Sequence, residues 1–151
     1  MKRNLVHPFG VPTGLIDTGA ILAVVEADDR WHSACLEALQ RVRIPLLTTE
    51  AVLTEAFHLI GRGSHDLEKL WRFVRSGGIT IRAMSDSDLP HLHALMAQYA
   101  DRPMDFADAT LVHLAARESI SVILTVDHDD FETYRLPGRK KFIIVPGRER
   151  S

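Results

Sequence analysis

Residues 122–127 read Val-Ile-Leu-Thr-Val-Asp, a short apolar run that ends in a carboxylate. A run of this length and composition predicts a buried strand. Residues 13–17, Thr-Gly-Leu-Ile-Asp, have the same form, with an acid directly after a short apolar stretch. Ligands bind at the carboxyl ends of the strands in open parallel sheets, so both acids are expected at one edge of one sheet.

Short apolar strands alternate with amphipathic helices along the rest of the chain. Strands are also predicted at 44–47, 79–81 and 142–145, and Pro45 suggests that the first of these is an edge strand. Helices are predicted at 20–27, at 30–42, from a Thr48 or Thr49 cap to Gly61, from a Ser64 cap to Gly77, from Ser85 through Tyr99, at 105–118 and near 128–135. This alternation indicates an α/β fold, a three-layer α/β/α sandwich with a mainly parallel central sheet.

Length and composition predict one globular domain over residues 1–151, with residues 1–12 as an extended lead-in. The chain is 46% hydrophobic and 25% charged, and its formal net charge is −2. Domains that bind nucleic acid by charge alone are usually basic, so such a partner would need local patches or a metal bridge to phosphate. Cys35 is the only cysteine and no secretory or membrane segment is evident, so we expect a reducing cytoplasm.

Glu55 is a third candidate acid, at the border of the apolar stripe of its helix. It lies three residues after Val52 and four before Leu59. Glu50 is about 140° away around the helix and belongs to the first turn, where it suits the helix dipole. The alternative for Glu55 is a solvated flanking position, because Glu is rarely buried without a partner.

Asp108 is the fourth candidate, because it occupies a core-facing position on helix 105–118. Burying an unpaired carboxylate costs several kcal/mol, so something should compensate its charge. The alternative is a capping arrangement, with Asp105 at the N-cap and Asp108 at the third helical position. Capping of the following helix is likewise the alternative for Asp17 and Asp127.

The four acids Asp17, Glu55, Asp108 and Asp127 would repel one another and raise each other's pKa unless a cation intervened. Mg²⁺ prefers oxygen ligands and commonly uses one or two carboxylates plus water and substrate phosphate. Such a site activates a water molecule and stabilises charge on a phosphodiester during hydrolysis. The four acids are therefore the predicted metal-binding and catalytic residues of a nuclease.

In chain order these stretches resemble the PIN-domain family, and among its members the VapC-type toxins. The matching stretches are Leu-Ile-Asp17, Leu-Thr-Glu55-Ala-Phe, Met-Asp105-Phe-Ala-Asp108-Ala, and Leu-Thr125-Val-Asp127 followed by Phe131. Each stretch alone is a weak signal, whereas four in order from about residue 13 to 145 are a strong one.

The resemblance implies an α/β/α sandwich that depends on Mg²⁺ or Mn²⁺ and cleaves single-stranded or structured RNA. It also implies that Thr18 and Thr125 line the site, although capping would explain these hydroxyls equally well. Asp105 is assigned a supporting role. Gly19 departs mildly from the family, which often has Ser or Asn there, and this puts a supporting hydrogen bond in doubt rather than the metal site.

Many relatives in this family are toxins that dimerise and are blocked by an antitoxin. The resemblance thus implies an RNA substrate, an antitoxin protein and a homodimer, although the residues alone do not establish an antitoxin. The apolar helices around Trp31 and Trp71 also favour a two-fold dimer.

Rival interpretations make different demands on the sequence. A non-catalytic PIN module that binds RNA or protein as a scaffold would be expected to lack some of the four acids. A phospho-acceptor receiver domain would need a Lys near the end of its last strand, where Val145-Pro146-Gly147 stands instead.

The eight histidines form no zinc pattern, and no phosphate-binding glycine motif is present. Two basic stretches are either solvated faces or contacts for the RNA backbone. One contains Arg62, Lys69, Arg72 and Arg75, and the other is residues 139–141.

Overall fold

A computed structural model of the chain describes residues 14–63 and 65–148. The predicted lead-in at 1–12, Thr13 and the predicted Ser64 cap lie outside this part. In chain order the elements are β1 (Leu15–Ile16), α1 (Thr18–Val25), α2 (His32–Arg41), β2 (Leu46–Thr48), α3 (Glu50–Ile60), α4 (His65–Val74), β3 (Ile79–Ile81), α5 (Leu89–Gln98), α6 (Phe106–Glu118), β4 (Val122–Leu124), α7 (His128–Thr133), β5 (Arg135–Leu136), β6 (Lys140–Lys141) and β7 (Ile143–Val145).

Five of the strands form a central sheet in the order β3-β2-β1-β4-β7, and every pairing between them is parallel. The central strand β1 pairs on both sides, with Leu15 opposite Leu47 of β2 and Ile123 of β4. Helices flank the sheet, which explains why β1 and β2 are buried along their whole length. The predicted α/β/α sandwich with a mainly parallel sheet is confirmed.

The position of Pro45 was interpreted wrongly from the sequence. It suggested an edge strand, but β2 lies between β3 and β1 in the interior of the sheet. Pro45 immediately precedes Leu46, the first residue of the strand. Its missing N–H therefore removes no hydrogen bond from the ladder, and the usual restriction on proline in central strands does not apply.

Helix α3 begins and ends where its signals predicted. The hydroxyl of Thr49 accepts a hydrogen bond from the Val52 N–H at 3.3 Å, which caps the helix, and Glu50 stands in the first turn. Gly61 follows the last helical residue with a φ of 81°, a left-handed value that favours glycine. Thr48, the other candidate cap, instead donates to the carbonyl of Ile16.

Several boundaries differ from the predictions because local signals are weak at element ends. Helix α1 begins at Thr18 rather than Ala20, and β4 ends at Leu124, before Asp127. The antiparallel pair of β5 and β6 was not predicted, since two-residue strands carry no periodic pattern. Within the described part of the chain, none of the helices has both the length and the apolar character that crossing a membrane requires.

Candidate metal and active site

The parallel pairing of β1 with β4 brings two of the predicted acids to the same edge of the sheet. Asp17 follows β1 directly, and its N–H donates to the carbonyl of Leu124 at 3.0 Å. Asp127 lies three residues beyond Leu124, at the start of α7. This register places both carboxylates at the carboxyl end of the sheet, where ligands bind in open parallel folds.

Helices α3 and α6 pack together and carry the other two acids. Asp108 stands at the third position of α6, and its N–H donates to Asp105 Oδ1 at 2.8 Å. The capping arrangement weighed as an alternative is therefore present. It involves the backbone of Asp108 and the side chain of Asp105, so the buried carboxylate of Asp108 is left for another role.

All four acids line one cleft of about 460 Å³. Asp105 and Thr18 also line the cleft. Thr125 is not among the lining residues, but its hydroxyl donates to Asp17, which is. The lining residues are Asp17, Thr18, Gly19, Glu55, Leu59, Pro103, Asp105, Asp108, Val126, Asp127 and Asp130. Two strand ends and two helices therefore present acidic side chains to the same space.

Three of the four acids each accept a hydrogen bond from a hydroxyl group. Thr18 donates to Glu55 Oε1 at 2.9 Å, and Thr125 donates to Asp17 Oδ2 at 3.0 Å. Tyr134 donates to Asp108 Oδ2 at 2.8 Å. In Glu55 and Asp108 the second carboxylate oxygen accepts no hydrogen bond from the described residues. Both oxygens of Asp17 are acceptors, since its Oδ1 accepts from the Thr18 N–H.

Tyr134 did not emerge from the sequence as a site residue. It lies 26 residues from Asp108, and no motif links the two positions. The one local signal was its spacing, three residues after Phe131, which places both rings on the same side of a helical turn. That spacing predicts core packing but gives no indication that the hydroxyl contacts an acid.

Burial perturbs the carboxylates of the cleft. It raises the pKa of Asp17 to about 7, and repulsion from Asp127 and Glu55 contributes in the same direction. Burial likewise raises the pKa of Asp108 to about 8, with repulsion from Asp17 as the next cause. The pKa of Asp127 is raised by burial and by its neighbour Asp130. Negative charge is therefore costly in this cleft, and a bound cation would offset that cost.

The donor set fits a hard divalent cation, because the cleft offers carboxylate and hydroxyl oxygens and no sulfur or imidazole ligand. Over residues 14–63 and 65–148, no group of three His, Cys, Asp or Glu side chains lies close enough to share a metal ion as it stands. The carboxylates would have to close by side-chain rotation, a movement that their mutual repulsion opposes when no cation is bound.

The acids also take part in caps, as the alternative interpretation expected. Asp17 Oδ1 accepts from the Thr18 N–H at 2.7 Å, and Asp127 Oδ1 accepts from the Asp130 N–H at a long 3.4 Å. Capping explains why each acid follows its strand. It does not explain why the two converge with Glu55 in one cleft, because a cap needs only its own helix.

The neighbouring acids have separate partners. Asp130 lies 3.4 Å from Arg102, and Asp129 pairs with Arg148 at 2.6 Å. Two buried histidines have structural partners. His113 hydrogen-bonds Asp88 at 2.7 Å, and His128 hydrogen-bonds the carbonyl of Pro146 at 2.8 Å.

The fold and this arrangement of acids agree with the comparison to known families. The model of the PIN domain family matches residues 14–136, which is most of the chain, so the chain belongs to the PIN-domain family. The resemblance recognised from the four acidic stretches is confirmed.

Three relatives extend this result. Ribonuclease VapC26 of Mycobacterium tuberculosis (strain ATCC 25618 / H37Rv) is 28% identical over 134 residues, which cover 87% of this chain and 99% of that protein. The crystal structure of M. tuberculosis VapC20, a Sarcin-Ricin loop cleaving toxin, has a TM-score of 0.68 at 19% identity, covering 76% of this chain and 90% of that one. A toxin-antitoxin complex from Klebsiella pneumoniae gives a TM-score of 0.61 at 20% identity, covering 88% and 96%. At these identities the two structures show that the fold is shared.

Proposed function

We propose that this protein is an endoribonuclease that depends on Mg²⁺ or Mn²⁺ and hydrolyses phosphodiester bonds in single-stranded or structured RNA. The observation that carries the proposal is the convergence of Asp17, Glu55, Asp108 and Asp127 on one cleft at the carboxyl edge of the sheet. The likeness to Ribonuclease VapC26 over nearly the whole of that protein supports the same activity.

Each acid has a role that its contacts support. Asp17, Glu55, Asp108 and Asp127 would hold the cation through their carboxylate oxygens. When bound, the metal would lower the pKa of a water molecule and offset charge on the phosphate. Thr18 and Thr125 orient Glu55 and Asp17 through their hydroxyl groups, and Asp105 supports the site by fixing the first turn of α6.

A substrate with unpaired bases is supported by an exposed aromatic ring beside the cleft. Phe106 lines a pocket that shares Glu55 and Asp105 with the acidic cleft, and its side chain is 48% exposed. Bases of single-stranded RNA stack on such rings, whereas bases in a duplex are already stacked on each other. Phe106 is therefore well placed to contact a base next to the phosphate that is cleaved.

A role as the toxin of a toxin–antitoxin pair is part of the proposal. It is supported by the toxin named in the VapC20 structure and by the Klebsiella pneumoniae complex, which shares the fold over most of both chains. The corresponding partners are an antitoxin protein and a second copy of this chain, in a cytoplasmic setting.

The experiment that tests this function uses purified protein and a labelled RNA pool. We expect cleavage with Mg²⁺ and none with EDTA, and restoration when excess Mg²⁺ follows EDTA. RNA binding without cleavage in Mg²⁺ or Mn²⁺ would instead support the non-catalytic scaffold. Contaminating nuclease is controlled with protein carrying Asp17→Asn, purified in the same way.

A further inference from the structure

Tyr134 connects the aromatic core to one acid of the cleft. Its side chain is fully buried, and its hydroxyl lies 2.8 Å from Asp108 Oδ2. Asp108 is on α6 and Tyr134 directly follows α7, so the contact joins two elements far apart in the chain. A buried tyrosine hydroxyl needs an acceptor, but a backbone carbonyl would serve that need as well as a carboxylate.

The hydroxyl is held in place by rings on two sides. The Tyr134 ring makes edge contacts with Tyr99 at 5.0 Å and with Phe131 at 5.1 Å between centroids. Phe131 in turn makes an edge contact with Phe142 at 5.4 Å. The Tyr134 N–H also donates to the carbonyl of Asp130 at 3.0 Å. Backbone and ring are both fixed, so the direction of the hydroxyl toward Asp108 is set before any ligand binds.

We propose that Tyr134 is a positioning residue for the metal site, which holds Asp108 Oδ2 so that Oδ1 is presented to a divalent cation in the cleft. This inference rests on the proposed function and assigns a residue outside the four acids and their neighbouring threonines. Thr125 likewise donates to Asp17 and Thr18 donates to Glu55, so hydroxyl groups from three separate parts of the chain each contact one acid.

The donor role suits the chemistry of a buried phenol. An ionised carboxylate offers only acceptor oxygens, so the Tyr134 hydroxyl is the donor in its contact with Asp108. Groups that orient metal ligands in this way typically account for about 10–100-fold in metal affinity or activity.

The test compares Tyr134→Phe with a matched control, Tyr99→Phe. Both substitutions remove one hydroxyl from the same ring cluster, but the Tyr99 hydroxyl accepts from the Arg135 N–H and contacts no acid. Melting temperature is measured against Mg²⁺ concentration. We expect the concentration for half-maximal stabilisation to rise about tenfold in Tyr134→Phe and to stay at the wild-type value in Tyr99→Phe. An equal Mg²⁺ dependence in both variants and wild type would overturn the proposal.

A second measurement needs no substitution at Tyr134. The chain contains two tyrosines, so protein labelled with ¹³C at the ring carbon that bears the hydroxyl gives two signals. On addition of Mg²⁺ we expect one signal to shift with the same half-saturation as the melting temperature, and that signal to persist in Tyr99→Phe. If neither signal shifts, or if the signal that shifts disappears in Tyr99→Phe, Tyr134 does not act on the metal site.

The two proposals fail in different ways. If wild-type protein cleaves RNA with Mg²⁺ while Tyr134→Phe keeps its Mg²⁺ dependence, only the role of Tyr134 is refuted. If wild-type protein shows neither cleavage nor stabilisation by Mg²⁺ or Mn²⁺, the proposed function is refuted and the role of Tyr134 with it.

Discussion

His113 Nε2 lies 2.7 Å from Asp88 Oδ1, and this contact ties helix α6 to the turn that precedes α5. The second oxygen of Asp88 accepts from the Ser85 N–H at 2.8 Å and from Arg117 at 3.2 Å. Asp88 is buried and is not among the residues that line the acidic cleft. It is therefore an acid with a structural role, against which the acids of the cleft can be compared.

The first prediction concerns Asp88→Asn, which we expect to lower stability without lowering RNA cleavage. His113 and Ser85 hold the pKa of Asp88 well below its ordinary value of 3.8. A carboxyl with a lowered folded pKa stabilises the native state above its unfolded pKa, and this contribution is lost as pH falls through the folded value.

Urea unfolding at pH 7, at pH 4 and at pH 3 checks this prediction. The free energy of unfolding of wild type should exceed that of Asp88→Asn at pH 7, and the difference should narrow below about pH 4. A difference that widens on acidification would contradict a lowered pKa of Asp88 in the native state.

The second prediction concerns Gly19, where the family often has a larger residue. A Cβ added to Gly19 would lie 2.8 Å from Cγ2 of Val126, so the side chain cannot be accommodated unless Val126 moves. Helix propensity would favour Gly19→Ala by about 0.5 kcal/mol, whereas overpacking costs about 1–3 kcal/mol. We therefore expect Gly19→Ala to be destabilising.

A double-mutant cycle of Gly19→Ala with Val126→Ala tests whether overlap with Val126 causes the loss of stability. Removing the Val126 methyl groups should relieve the overlap, with a favourable coupling of about 0.5–3 kcal/mol between the two substitutions. Additive effects, or a Gly19→Ala protein more stable than wild type, would contradict the steric explanation.

The sequence predicted those features of the fold that depend on local pattern. Alternating strands and helices were sufficient for the parallel sandwich, and the stripe through Leu111 and Val112 correctly placed Asp108 facing inward. Pro45 was misinterpreted because edge position depends on strand order, which no local signal specifies. Two-residue strands such as β5 were missed because they are too short for a period to be seen.

In the candidate site, too, only the residues with a local sequence signal could be predicted. Four acids followed from strand ends and helix faces, because each has a signal within its own element. Tyr134 could not be found, since its contact with Asp108 depends on how α7 packs near α6. Contacts between elements distant in sequence arise from tertiary packing, and one sequence contains no pattern that reports them.

The third prediction is that Mg²⁺ stabilises the native protein, because it binds the folded site and relieves repulsion among the acids. For a dissociation constant of about 1 mM, about 10 mM Mg²⁺ would add roughly 1.4 kcal/mol. That corresponds to a rise in melting temperature of about 3–5 °C for a chain of this size.

Thermal melts in Mg²⁺ and in NaCl of equal ionic strength test this effect. Asp88→Asn should retain the Mg²⁺ shift, since its carboxylate is outside the cleft, and Asp17→Asn should lose most of it. An equal rise in NaCl would assign the stabilisation to screening of charge rather than to a site.

The fourth prediction is a two-fold homodimer. Trp71 is 45% exposed, and its ring is tilted against that of Phe57 with 4.7 Å between the centroids, whereas Trp31 is partly buried against His128. Of the two tryptophans that motivated a dimer, Trp71 is thus the one that an interface would cover. Sedimentation should give the mass of two chains at micromolar concentration, and Trp71→Ser should shift the protein toward monomer. A wild-type monomer at every concentration would refute the prediction.

The fifth prediction concerns Asp17, the acid at the end of the central strand. Asn keeps the size of Asp and removes one negative charge from the cleft. It also replaces the oxygen that faces Thr125 with an NH2 group, for which the Thr125 hydroxyl can be the acceptor. As a metal ligand, an amide oxygen is weaker than a carboxylate for a hard cation, so cleavage should fall by about 100-fold or more. The free energy of unfolding without metal should stay level or rise, because repulsion from Glu55 and Asp127 decreases.

The most direct test of the metal-dependent cleavage site is the rate of RNA cleavage by Asp17→Asn beside wild type, on the same RNA and at the same Mg²⁺ concentration. We expect the variant to be folded by circular dichroism, at least as stable as wild type in EDTA, and nearly inactive. If Asp17 only caps α1, Asn should replace it with little change in either property, since it caps nearly as well. Full Mg²⁺-dependent cleavage by folded Asp17→Asn protein would contradict the assignment of the cleft as the active site.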